Sequence, residues 1–392
     1  IRPALDALDL SQHLRAAVHL SGPTLGWAAQ HDPAALQVLS ALCEQQRVEM
    51  LVSGAEGPLL ATLPERDAVA QVRRHLRQLH QHLGVKATTC WLAAEAWDPQ
   101  LSVILHKAGV LATFVDEGLV ALGRDRPDPV DGWYRTHTAG SPLAILPLSR
   151  ILGAAAPFTA VDRVLAHLER EASAARTLLS FALPFSRLGD DPAHDFTAWW
   201  PALADALKTS RVRTILPGRA LRDLSPKGSA WPPAGTPPVL RAALFAPWAD
   251  APPAWSTLAD ASAPAGPSID ALLAAEPVSA RLVARTRRVS DQLVMARRDA
   301  RKVRRDVAAV DAATAALQRA QSGACLHAVA DMGGNLLDPA VRHAAWSAVD
   351  SALNAIPLTV PLAHEVLDLD GDGHDELEVR TRHLLAVVAP SR

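Results

Sequence analysis

The chain predicts an α/β fold built on a parallel barrel, and three observations carry that reading. Short apolar runs alternate with stretches of helical periodicity through the first half, the pattern of βαβ units. Two Asp-Pro pairs, Asp32-Pro33 and Asp98-Pro99, place proline where a helix begins, since its missing N–H is unbonded there anyway. A stretch rich in Pro, Ala and Gly, residues 232–267, then closes the alternation and marks a boundary.

In chain order, residues 16–20, 48–52, 89–92, 112–115 and 178–183 read as buried strands, and residues 33–46 and 66–83 as helices with a polar face. Parallel barrels put their chemistry at the C-terminal ends of strands, so residues just past each run are the first candidates for a site. Beyond the boundary, residues 269–317 and 339–354 read as helices. Leu272, Leu273, Leu282, Val289, Leu293 and Val307 form the expected packing stripe, and the arginines between 281 and 305 a solvated face. Residues 358–369 and 376–388 alternate as strands. The expected division is 1–240 barrel, 241–356 helical domain, and 357–392 the opening of a β-sandwich.

Composition narrows the classes of function. With 392 residues, 49% hydrophobic, the chain can bury about three quarters of its unfolded surface. A net charge of -2 favours neither nucleic acid nor an anionic membrane as partner. Cys43, Cys90 and Cys325 are too few and too scattered for a disulfide framework or a zinc site, which fits a reducing, cytoplasmic setting. No apolar run reaches the roughly 18 residues of a membrane span. The first residue, Ile1, reads as the start of a partial chain.

The most informative segment is Trp91-Leu92-Ala93-Ala94-Glu95-Ala96-Trp97-Asp98-Pro99-Gln100. It resembles the Trp-Leu-Ala/Thr-Glu-Arg-Val-Trp-Glu-Pro-Gln signature of glycoside hydrolase family 57, the α-amylase and 4-α-glucanotransferase group. Three further stretches are similar to that family in the same order: Val18-His19-Leu20-Ser21-Gly22-Pro23, Val48-Glu49-Met50-Leu51 with the residues up to Leu60, and Leu63-Pro64-Glu65-Arg66-Asp67. Ser225-Pro226-Lys227-Gly228 resembles a segment near the end of the family's catalytic domain, and Gly333-Gly334-Asn335-Leu336-Leu337 a turn in its helical domain. The resemblance implies an incomplete seven-stranded (β/α)7-type barrel, here without its first, His-Gln-Pro strand, then a helical domain and a C-terminal β-sandwich.

The same resemblance implies that the reactive groups are gone. A retaining glycosidase needs two carboxylates about 5 to 5.5 Å apart, a nucleophile and an acid. At the position of the family's nucleophilic Glu stands Ala94, and Leu183-Pro184-Phe185-Ser186-Arg187-Leu188-Gly189 replaces its acidic motif. Gly26 and Gly57 replace two further glutamates. Loss of a nucleophile typically costs about a millionfold in rate. The fallback carboxylates are Glu95, Asp98, Asp190 and Asp191; Glu95, one residue past the vacant position, needs a bulge to aim inward and otherwise stands solvated or salt-bridged.

Binding candidates are His19, Trp27, Glu56, Trp91, Trp97, Asp116 and Glu117. The tryptophans suit sugar stacking or the core, His19 a cleft or the core, and Asp116-Glu117 matches an acidic pair of the family. Asp368, Asp370, Asp372 and Glu376 space oxygen ligands as a short calcium loop does, although Asp-Gly repeats also make hairpin turns. No cofactor other than that calcium is implied. Two readings stay open: a catalytically degenerate homologue that binds an α-glucan or maltooligosaccharide, or serves as a homo-oligomer or partner-enzyme subunit, and an active α-glucan hydrolase or 4-α-glucanotransferase with relocated carboxylates.

Overall fold

The computed structural model describes residues 5–6, 8–9, 11–125, 128–156, 159–174, 176–183, 196–237, 266–274, 277–302, 308–323, 339–356, 361–369, 373–381 and 384–389. The chain divides into two compact units, Ile1–Ala55 with Val69–Ser268, and Glu56–Ala68 with Ile269–Arg392.

The first unit is built on parallel strands. β1 (Ala16–His19) is followed by helices α1 (Gly22–His31) and α2 (Pro33–Glu44), then β2 (Val48–Leu51), α3 (Glu65–Leu83, which starts in the second unit), β3 (Thr89–Cys90), α4 (Leu101–Ala108) and β4 (Ala112–Asp116). Ser21 caps α1 by accepting from Thr24 N, and Asp32 caps α2 by accepting from Ala35 N, with Pro33 in the first turn as its sequence predicts. β1 pairs with β2 in parallel from Ala16↔Val48 to His19↔Leu51, Val52 bridges to Cys90, and β3 pairs in parallel with β4.

The next stave differs from expectation. After α5 (Glu117–Leu122), β5 (Tyr134–Thr138) and β6 (Ser141–Leu148) form a hairpin, and β6 pairs in parallel with β4, from Ala112↔Ala144 to Asp116↔Leu148. Neither strand was legible in the sequence. Pro142 and Pro147 disguise β6, and the two-residue turn is Ala139-Gly140, both with positive φ, instead of the usual Asn-Gly. The strand expected at 178–183 reduces to one parallel bridge, Ser180 to Leu148. On the other side of β1, Arg15 N donates to Thr214 Oγ1 at 2.7 Å. Leu51, Phe114, Leu146 and Leu148 share one core with Ala17, Trp91, Leu178, Ala182 and Leu221, so each parallel segment turns one face to the same interior. Helices α6 (Arg150–Ala155), α7 (Val161–Ser173), α8 (Phe196–Thr209) and α9 (Pro217–Asp223) complete the described part of this unit.

The second unit contains helices α10 (Ile269–Ala274), α11 (Pro277–Lys302), α12 (Ala308–Ala320) and α13 (Pro339–Asn354), and an antiparallel sheet in the order β7 (Leu362–Leu367), β8 (Glu376–Thr381), β9 (Leu385–Val388). Leu272, Leu273, Leu282, Val289 and Leu293 are buried, as their spacing predicts; Val307 and the turn 333–337 lie outside the described residues. The arginine face is not simply left to water. Arg285 is buried in an ion pair with Glu378, Arg288 pairs with Glu365, and Arg297 with Asp311 at 2.6 Å. The reason lies in β8, whose buried face carries Glu376, Glu378 and Arg380 and so demands charged partners. Among the described residues, no helix is long and apolar enough to cross a membrane.

Candidate functional site

Parallel pairing brings the C-terminal ends of β1 to β4 and β6 to one side of the first unit, and chemistry-bearing side chains collect there. His19 ends β1, and its Nε2 lies 2.9 Å from Ser53 Oγ, just past β2. The Ser53 hydroxyl donates to the Gly54 carbonyl, so His19 Nε2–H is the donor to Ser53. Ser53 N donates to His75 Nδ1 at 2.9 Å, which leaves the His75 proton on Nε2. Burial, and for His19 also the neighbouring His75, pushes both imidazoles down to about 4, so the pair is neutral at ordinary pH. Ser53 and His75 escaped the sequence reading. His75 was findable: Ala68, Val72, His75 and Leu79 form the buried stripe of α3, with one histidine among apolar residues.

Past β3 the backbone is unusual. Ala94 (φ 54°, ψ 17°) and Glu95 (φ 50°) are consecutive non-glycine residues in the left-handed region. Such conformations cost about 1 to 3 kcal/mol each and gather at functional sites. Both residues lie in a short 3₁₀ turn, Ala93–Glu95, that follows the end of β3 at Cys90. Glu95 is half-buried; its backbone N–H donates to Leu92 O at 3.0 Å, and its carboxylate has no hydrogen-bond or ion-pair partner among the described residues. Enclosure by protein, and then the charge of Asp116, push its carboxyl up to about 7. A carboxylic acid held this way is a site signature. Glu95→Gln should therefore raise stability by about 2 kcal/mol at pH 8 and give no gain at pH 4.5, because the buried charge exists only above the raised pKa. Chemical denaturation at both pH values measures this, and an unchanged or lower stability at pH 8 would refute it.

Asp116 is bound firmly in place. It caps α5, its Oδ1 accepting from Gly118 N at 3.0 Å and Leu119 N at 3.1 Å. Arg150, at the start of α6, donates Nε to Oδ2 at 2.8 Å and Nη2 to Oδ1 at 2.6 Å, with both side chains 2% exposed. Gly118 is required beside this clamp, since a Cβ there would sit 2.0 Å from Arg150 Nη2. Glu117 accepts from Arg150 N at 2.8 Å, and burial raises its pKa. Nothing in the sequence signalled Arg150. Four hydrogen bonds to one carboxylate make Asp116 a structural anchor of the site and a poor nucleophile.

The other candidates separate. Trp91 is half-buried at the strand ends, tilted against Phe114 at 6.2 Å. Trp97 is 1% exposed and donates its indole N–H to Pro232 O, so it belongs to the core and offers no face to a sugar. Trp27 is 59% exposed on α1 and stacks on His31 at 4.9 Å. Asp98 accepts from Gln100 N in the turn before α4, and Glu56 belongs to the second unit, where its carbonyl accepts from Ser322. Asp190, Asp191 and the stretch 184–189 lie outside the described residues, as do Asp370 and Asp372. Asp368 and Glu376 are occupied with the backbone of the β7–β8 loop, accepting from Gly373 N and Leu369 N. Among the described residues no group of three or more His, Cys, Asp or Glu side chains is placed to hold a metal.

Known proteins are similar to this chain in sequence and in fold. Residues 4–232 match the family described as Glycosyl hydrolase family 57. A 4-α-glucanotransferase of Thermococcus kodakarensis is 30% identical over 167 residues, 43% of this chain and 25% of that protein. An α-amylase of Pyrococcus furiosus is 29% identical over 167 residues, 42% of this chain and 25% of that protein. The aligned part thus spans about a quarter of those relatives. The crystal structure of the Thermococcus litoralis 4-α-glucanotransferase superposes with a TM-score of 0.79 over 99% of this chain and 60% of that one, at 20% identity, which gives the fold: a barrel of the TIM type with the helical and β segments that follow. With the family matched over more than half of the chain and the fold matched over nearly all of it, this chain belongs to glycosyl hydrolase family 57.

Proposed function

We propose that this chain binds an α-glucan at the C-terminal ends of its parallel strands without performing the double displacement of a retaining glycosidase. The observation that carries this reading is the left-handed turn at Ala94: the residue that should attack the sugar has no functional group, and the nearest anchored carboxylate, Asp116, is committed to Arg150 and to the cap of α5. What supports ligand binding is the rest of the site. Trp91 and His19 stand at the strand ends, and Trp27 presents an open indole face on the adjoining helix. Aromatic platforms and hydrogen bonds hold a sugar independently of any nucleophile. Maltoheptaose should bind with micromolar to millimolar affinity, about 4 to 8 kcal/mol, and quench tryptophan fluorescence. A titration to tens of millimolar with neither heat nor quenching would reject glycan binding and leave a role as a partner subunit.

A second reading, active hydrolase or 4-α-glucanotransferase with relocated carboxylates, is favoured by one observation. Glu95 is enclosed, unpaired among the described residues, and raised to a pKa suited to a general acid. Transglycosylation of maltooligosaccharides by the wild type that disappears in Glu95→Gln would establish it. Its absence in both proteins supports the binding reading.

A further inference from the structure

The antiparallel sheet of the second unit is turned inside out. Its register sets Leu362, His364 and Val366 of β7 opposite Thr381, Val379 and Leu377 of β8, and Val388 of β9 opposite Leu377, so these side chains share one face. On that face Leu362, Val366 and Val388 are 56%, 64% and 52% exposed. The other face of β8 carries Glu376, Glu378 and Arg380, all buried, with Glu378 paired to Arg285 of α11 and Arg380 donating to the carbonyls of Leu353 and Ile356. Charges thus hold the sheet to its helices while its apolar side meets water, an arrangement that is unfavourable until that side is covered. We propose that a second copy of this chain covers it, the two apolar sheet faces packing together about a two-fold axis.

Two properties of the face select a copy of itself over an unlike partner. Among the described residues of the three strands, no Asp, Glu, Lys or Arg stands on it. An identical face therefore meets it without like-charge repulsion and offers the same apolar chemistry, whereas an acidic or basic partner finds nothing to pair with. The second property is size. β7 and β8 are each six residues long, and three strands about 4.8 Å apart, rising about 3.4 Å per residue, make a face of about 14 by 20 Å. Two such faces in contact bury on the order of 1,000 Å², the low end for a specific interface, which sets a weak dimer with a dissociation constant on the order of micromolar. Aligned sheets pack about 10 Å apart, and two-fold symmetry closes the assembly at two copies. The inference is independent of glycan binding, since its residues all belong to the second unit.

Sedimentation velocity of the whole chain reads the outcome, from about 1 to 200 μM so as to bracket a micromolar dissociation constant. Wild type should shift from monomer to dimer across that range and stop there. Val366→Lys and Val388→Lys should each raise the dissociation constant by about a hundredfold or more, because two-fold symmetry brings two unpaired lysines into the apolar contact. Val387→Lys is the matched control: Val387 is 50% exposed and adjoins Val388 in β9, but it lies opposite Glu378 and so on the other face. It should leave the dimer intact. A wild type that stays monomeric at the highest concentration would overturn the proposal and leave the face to an unlike partner. A dimer that survives Val366→Lys or Val388→Lys, or that Val387→Lys also abolishes, would overturn it in favour of pairing along a strand edge. Growth beyond the dimer would overturn it as well, as unspecific association of exposed apolar surface. All three sites are at least half exposed, so lysine there costs the fold little, and the wild-type result needs no variant.

Discussion

Arg150→Met should destabilise the first unit by about 3 to 5 kcal/mol, the cost of leaving a buried charge without its partner. Asp116 is then the stranded group: its side chain is 2% exposed, and two backbone N–H bonds from the α5 cap do not replace a bidentate guanidinium. Gly118→Ala should act on the same clamp from the other side, since a methyl group at 2.0 Å from Arg150 Nη2 forces the guanidinium out of its place. Urea unfolding followed by tryptophan fluorescence reads both variants. A loss below about 1 kcal/mol for Arg150→Met would mean that Asp116 is rehydrated or re-paired, and that the clamp is not what orders the floor of the site. The double variant Arg150→Met with Asp116→Leu should recover a large part of the loss, because replacing both members of a buried pair removes the desolvated charge as well as its partner.

Acid should unfold this protein through its neutral histidines. His19 and His75 have folded-state pKa values near 4, below the ordinary 6.5, so protons bind the unfolded chain first. Their contribution is fully present above pH 6.5, erodes as pH falls from 6.5 to 4, and is constant below that. Each shift corresponds to at most about 3 kcal/mol. Glu95 has the opposite sign: its pKa, raised to about 7, gives a contribution present below pH 4.5 and lost as pH rises through 7. In the window from 6.5 to 4.5 the two effects oppose, and the two histidines should outweigh one carboxyl. Denaturation midpoints between pH 4 and 8 should therefore fall on acidification in the wild type and fall more steeply in Glu95→Gln. They should flatten in His75→Gln, whose side chain does not protonate. A His75→Gln profile as steep as the wild type's would sink this account.

The sequence by itself determined the class of fold and the family. Apolar runs at 48–52 and 112–115 have no other use than buried parallel strands, Asp32-Pro33 starts a helix through capping and a fixed φ, and the Trp91 to Pro99 signature places Ala94 just past a strand. These are local properties, written in hydrophobic period and backbone preference. Tertiary structure decided what the site contains. Whether a tryptophan stacks a sugar or fills the core depends on what covers it, and Trp97 is fully covered, Trp91 half-buried and Trp27 exposed. Arg150 becomes the partner of Asp116 only because β6, disguised by two prolines, pairs beside β4 and delivers α6 to the same end. Ala94 and Glu95 adopt positive φ against their own preference, which no residue-level rule anticipates, because the surrounding packing over-determines the turn. That non-local constraint, acting through burial and one fixed neighbouring charge, turns an ordinary surface glutamate into an enclosed acid.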